Sequence, residues 1–249
     1  ADAFGWRAVF AALSLGFAAV AVALVASGRA GPRSASARGA VGIGFVAGAR
    51  HVLQVRWARW IVTAAAVEGV FAFAALTFVP SYLHHAFGLS LGQAGAVMAL
   101  YGAGGLAYAG AARHLIRRLG ERGLVVAGGL CLGLAMAMLA FGPTWHWAAP
   151  ACFIGGLGFQ MLHSTLQTHA TQMQPSLRGT AVSLFVVSLF AGQAIGVSAA
   201  GVIIDALSPR WVFAASMVAL PLTGLWLRRG LVLRRQWPAG QGGAAEPAG

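Results

Sequence analysis

Seven stretches of this chain are apolar for roughly twenty residues at a time: 8–27, 60–80, 92–112, 123–142, 147–172, 179–204 and 210–228. A helix needs about 20 mainly apolar residues to cross the hydrocarbon core of a bilayer. Backbone groups in that core find no water, so a crossing segment must satisfy its own N–H and C=O groups. The pattern therefore predicts an all-α polytopic membrane protein with seven transmembrane helices. Composition agrees, with 59% hydrophobic and 9% charged residues, against about 25% charged in a soluble domain.

The few charges are placed systematically. The formal net charge is +12, and all 17 basic residues are Arg. They sit between the apolar runs, where they meet lipid headgroups and set topology, so nucleic-acid binding is set aside. Arg7 and Arg210 fall on one side of the membrane and every other Arg on the opposite side. That asymmetry predicts a cytoplasmic C-terminus and an outside N-terminus in a cell inner (plasma) membrane. The chain opens without Met, a few residues before a span, and is expected to be the downstream portion of a longer protein whose N-terminal half is missing.

The expected organisation is a first transmembrane helix over 1–27, a basic cytoplasmic connecting loop over 28–59, a six-helix bundle over 60–228, and a disordered cytoplasmic tail over 229–249. Within the loop, the stretch from Val41 to Trp57 reads as an interfacial helix. Cys131 and Cys152 lie in or beside apolar runs, without metal-ligand spacing, and read as packing residues. No metal, cofactor or catalytic nucleophile is expected. The absence of Lys also excludes a retinal Schiff base.

Polarity inside the spans is concentrated in the second and fifth. Glu68 stands near the middle of "IVTAAAVEGVFAFAALTFVP", where an acidic residue costs about 2.5–3.5 kcal/mol on insertion. Ala65, Ala72 and Ala75 share its face, so that face should point into the protein. In the fifth span Gln160, His163, Ser164, Gln167, Thr171 and Gln174 fall within about 100° of helical arc. Lipid cannot satisfy six such groups, and the stripe reads as a cavity wall in preference to interhelical glue. His169 lies on the opposite face and reads as a structural residue near the headgroups. Glu68 is about 13 Å along its helix from Arg59, and His163 about 18 Å from Pro175, which allows comparable depth. A carboxylate and an imidazole side by side can bind and release protons near neutral pH. Glu68 is thus a candidate protonation switch with His163 as partner. The first, fourth and seventh spans carry almost no polar side chains and read as lipid-facing periphery.

"GWRAVF" opening a span, the long basic connection, six further spans, and the segment from Pro175 with "LRG", "GQAIG" and Asp205 together resemble the latter half of the major facilitator superfamily, transmembrane helices 6–12. In "RHLIRRLGERG" the residues Arg118, Gly120 and Arg122 fit that family's basic loop motif. Arg113, Arg117 and Glu121 depart from it, which puts the loop's gating role in doubt. The resemblance implies a partial major-facilitator fold in which the second and fifth spans line the central cavity. It also implies that Gly192, Gly196 and Gly201 are helix contacts. Gln193 either faces the cavity or bonds a neighbouring helix. The function so implied is secondary active transport of a small-molecule substrate by alternating access, driven by protons, with efflux of drugs or metabolites as antiport placed ahead of uptake of a sugar or organic acid. A seven-helix receptor or sensor is the rival of another class, and its long outer binding loops are not present here.

Overall fold

The computed structural model describes residues 5–27, 44–238 and 241–242. All regular structure among them is helical. The chain divides into two compact units, 1–44 and 45–249.

The first unit contributes α1, Gly5–Ala26, 22 residues and hence about 33 Å long, enough to span a bilayer core. Of the basic connecting loop expected over 28–59, residues 28–43 lie outside the described residues.

The second unit begins with the short amphipathic α2, Phe45–Gln54, inside the segment read as an interfacial helix. Next comes a long rod built of α3 (Arg56–Glu68), a π-turn (Gly69–Phe73) and α4 (Ala74–Phe87). Gly88, at φ 68°, ends it in the left-handed region, where a Cβ is costly. Ser90 then caps α5 (Leu91–Phe141) through a reciprocal box: its hydroxyl accepts from Gln93 N at 3.2 Å, and its N–H donates to Gln93 Oε1 at 2.9 Å. α6 (Ala148–Gln172), α7 (Arg178–Ala206) and α8 (Pro209–Leu233) complete the bundle.

α5 is two crossing helices in succession, separated by a sharp kink at Gly120 with φ 61° and ψ 175°. That conformation is essentially confined to glycine, and a side chain there costs about 1–3 kcal/mol. Gly120→Ala is therefore expected to destabilise the bundle by that amount, read as a fall in the thermal unfolding midpoint. Among the described residues, four helical stretches are long and apolar enough to cross a membrane, Arg56–Phe87, Leu91–Phe141, Pro175–Ala206 and Pro209–Leu233, and the break divides the second into two crossing-length halves. Seven spans were expected; the helix starts fall within about four residues of the expected ones, while the rod's end at Phe87, the break at Gly120 and the end of α8 at Leu233 lie five to eight residues beyond the expected ends.

The tail turns back under the bundle, and Gln241 caps α3: Arg56 N donates to Gln241 Oε1 at 3.0 Å, and Trp57 N donates to Gln241 O at 3.1 Å. Two of the N–H groups left open at a helix start are thereby satisfied from 185 residues away. Trp237 packs between Trp57 and Trp60, with the Arg56 guanidinium 4.8 Å over its ring. The expectation of disorder from 229 is thus corrected for residues 229–238 and 241–242. Aromatic and cation–π contacts hold a segment whose composition alone reads as unstructured.

Helices approach closely where glycine removes a side chain. Gly104 and Gly156 bring the first half of α5 against α6, Gly129 and Gly224 bring its second half against α8, and Gly69, Gly192 and Gly196 bring the π-turn against α7. Gly201, expected to be a helix contact, has nothing within 4 Å of its Cβ direction. The expected periphery is also only half right. One face of the fourth crossing is buried, with Leu132, Ala135 and Met136 inside, and Ser216 and Thr223 of α8 are buried too.

Candidate functional site

Glu68 is fully buried, and His163 of α6 reaches it from the facing helix. Nδ1 of His163 lies 2.8 Å from Glu68 Oε2, a hydrogen-bonded pair in the interior of the bundle. The two residues singled out for mid-depth ionisable chemistry are the two that meet. Their register follows from small residues on each side. Ala65, Ala72 and Ala75 of the Glu68 face are completely buried, and Gly155, Gly156 and Gly158 sink the start of α6 among its neighbours.

Aromatic rings enclose the pair. Phe159 stacks on the His163 ring, with centroids 4.8 Å apart and planes at 14°. Phe185 of α7 lies 5.8 Å from the same ring. Phe73 and Tyr101 pack in turn on Phe159. Glu68 therefore meets neither lipid nor an open passage, while His163 keeps 14% of its side chain exposed, so the wet cavity wall expected around the pair is replaced by a mostly packed chamber with the imidazole at its edge. The chamber is not polar-neutral, however. Glu68 Oε1, Tyr101 OH and Gln193 Oε1 are buried without a hydrogen-bond partner among the described residues. Gln193 sits on α7 where that helix presses on Gly69, and Tyr101 lies within electrostatic range of Glu68.

The backbone is irregular at the same point. The π-turn starts at Gly69, directly after Glu68. Such bulges insert one residue into a helix and free a carbonyl, and they concentrate at functional sites. Here Ser216 Oγ of α8 donates to the Phe71 carbonyl at 3.0 Å. Serine in a span expected to face lipid thus supports an irregularity the sequence reading did not foresee.

The rest of the predicted stripe divides. Ser164 bonds Tyr108 of α5 at 2.9 Å, and the Gln160 side chain lies against Gly105. Both face a neighbouring helix, as glue residues do. Gln167 is exposed. Thr171 is spent on its own helix, donating to Thr168 O at 2.7 Å. In the loop motif, Gly120 makes the break described above, Arg118 is exposed, and Arg122 is half-buried.

A second cluster, missed in the sequence, closes the Arg-rich end. His169, read as a structural residue near the headgroups, is 2% exposed and bonded to neighbouring elements at the Arg-rich end. Arg234 Nη1 donates to His169 Nδ1 at 3.2 Å, while His169 Nε2 stands 3.2 Å from Glu121 Oε2. Trp57 meets the imidazole edge-on at 5.1 Å. The chain of contacts joins the start of α3, the break in α5, the end of α6 and the end of α8. Only the unexpected placement of Glu121 in an otherwise all-Arg connection signalled it. The His169 ring beside Glu121, aided by Arg234 and opposed by burial, holds its carboxyl below the ordinary value of about 4.5. An acid with a depressed folded pKa stabilises above its unfolded pKa, and that contribution is lost as pH falls through the folded value. Glu121→Gln should therefore lower stability near pH 7 by about 0.5–1 kcal/mol, the scale of a partly solvated ion pair. The gap to the unaltered protein should close as pH drops below about 4.5, read by thermal melts across pH.

A helical bundle with membrane-crossing helices and a carboxylate–imidazole pair buried between two of its helices is a polytopic membrane protein with a candidate functional site inside it. The family model described as Major Facilitator Superfamily matches residues 1–186, so the chain belongs to that superfamily. The match ends within α7, so most of the segment from Pro175, one of the features that carried the resemblance, lies beyond it. The chain is 27% identical over 133 residues to the uncharacterized MFS-type transporter YceJ of Bacillus subtilis strain 168, an alignment covering 52% of this chain and 33% of that protein. The match thus takes in about a third of that relative's length. No solved structure matches the chain.

Proposed function

We propose that this chain forms part of a secondary transporter that moves a small solute across a cell membrane and uses proton binding at Glu68 to drive it. Membership of the superfamily supports transport rather than catalysis. The buried Glu68–His163 pair carries the coupling. A buried ion pair is weak evidence for stability, because desolvation consumes its Coulomb gain. Its presence among helices that could be wholly apolar therefore argues for use.

Three orphaned polar atoms around the pair sharpen the reading. Each unmet buried group costs about 1–3 kcal/mol, so the chamber as it stands gains by accepting a proton or a polar cargo group. Protonation of the pair would alter which of these atoms bond one another, and the π-turn is where α3 and α4 can shift against α7. Efflux by antiport remains the preferred direction, since the amides and hydroxyls near the pair include no fixed Arg to hold an organic anion. Sugar or organic-acid uptake is the alternative. The Arg-rich end, with α8 and the tail, is assigned to the cytoplasm.

The test is solute-dependent proton movement in proteoliposomes loaded with a pH-sensitive dye. A panel of cationic, neutral and anionic solutes should include at least one that collapses an imposed pH gradient with the unaltered protein and not with Glu68→Gln. Solute movement that is indifferent to the gradient in both proteins would remove the proton from the mechanism.

A further inference from the structure

We infer that the groove between the break in α5 and the end of α8 is a binding site for an anionic diacyl phospholipid of the adjacent leaflet. The groove encloses about 430 Å³, within the roughly 300–1,000 Å³ of small-ligand sites. Arg122 and Arg228 stand at its polar end, one from each helix. Below Arg122, Val126, Ala127 and Leu130 continue along one helix face. From Arg122 to Leu130 that stripe covers about 12 Å, close to the roughly 15 Å depth of one leaflet's hydrocarbon.

Charge decides the occupant. Neither guanidinium has an ion-pair partner among the described residues. Glu121, the nearest carboxylate in sequence, is turned to His169, and Glu68 is committed to His163 deep in the bundle. Asp205 lies at the far end of α7. The described protein thus offers this groove two cations and no carboxylate. A free phosphate would satisfy the arginines and leave the apolar stripe unused, whereas a phospholipid uses both. Basic pockets between helices at the membrane surface select anionic headgroups in this way. Arg122 was noticed in the sequence as a fragment of a loop motif. This assigns it a different part, bracing the fourth crossing to the last one through a lipid.

The experiment takes the purified protein in nanodiscs of phosphatidylcholine with graded phosphatidylglycerol, followed by native mass spectrometry of retained lipid. One phosphatidylglycerol should remain bound, with an apparent affinity falling on the order of 30-fold in R122Q/R228Q, from about fivefold per guanidinium near an anionic headgroup. R113Q/R117Q, which removes the same charge from exposed positions off the groove, should retain lipid as the unaltered protein does, and R122K/R228K should recover most of the loss. Equal loss in R122Q/R228Q and R113Q/R117Q would reduce the effect to general surface attraction and overturn the site. So would equal retention of phosphatidylcholine, or displacement of the lipid by millimolar inorganic phosphate.

Discussion

His163→Ala is expected to destabilise the bundle by about 3–5 kcal/mol, the cost of breaking a buried ion pair from one side. The loss arises because Glu68 is wholly enclosed and has one partner among the described residues. Removing the imidazole also takes away the ring that stacks on Phe159 and faces Phe185. Glu68→Gln should behave differently. The amide keeps the shape and can still bond the imidazole, so folding should be nearly unchanged while pH dependence of transport disappears. The combined variant Glu68→Gln/His163→Ala should recover part of the single His163→Ala loss, because no unpaired carboxylate is left behind. Equilibrium unfolding in mild detergent gives the three stabilities, and the double-mutant cycle isolates the coupling, expected at about 1–3 kcal/mol. Additive losses within about 0.5 kcal/mol would mean that the two side chains are neighbours without being partners.

The pairing itself was open to derivation because it rests on one dimension. Helical rise converts residue counts into depth, and depth matched Glu68 with His163 before any contact was known. The spans were legible for the same reason, since a bilayer core sets the length of every crossing. Other features depend on contacts that no periodicity encodes. Gln241 caps α3 across 185 residues, and nothing in "PAGQGG" announces a helix cap. His169 was placed on the face opposite the polar stripe and given a structural part there, but its partners were not named. The helical wheel gives direction but not what stands in that direction, and Glu121 and Arg234 stand there. The π-turn escaped because Gly-Val-Phe-Ala-Phe suits a regular membrane helix equally well. Its cause lies in α7 and α8, where Gly192, Gly196 and Ser216 accept the displaced backbone.

That dependence on α7 makes the second large effect predictable. Gly192→Leu is expected to disrupt assembly of the bundle, while Gly201→Ala nine residues along the same helix is expected to be harmless. A Cβ on Gly192 would collide with the Ala66 carbonyl, and one on Gly196 with the Val70 carbonyl. On the other side, a Cβ on Gly69 would strike the Leu189 carbonyl. These neighbours are backbone, which cannot rotate away, so relief requires α3 and α7 to separate. Overpacking a flexible core costs about 1–3 kcal/mol, and a rigid backbone contact belongs at or above the upper end. Separation would also draw Phe185 and Gln193 off the Glu68 chamber, so a surviving Gly192→Ala protein should lose proton coupling along with stability. Gly201 meets nothing within 4 Å, and alanine there should stabilise the helix slightly, by about 0.5–1 kcal/mol. Yield of monodisperse protein on size exclusion and the thermal midpoint separate the two outcomes. If Gly192→Leu and Gly201→Ala proved equally tolerated, the close approach of α7 to the π-turn would be wrong, and with it the account of how the Glu68 chamber is closed.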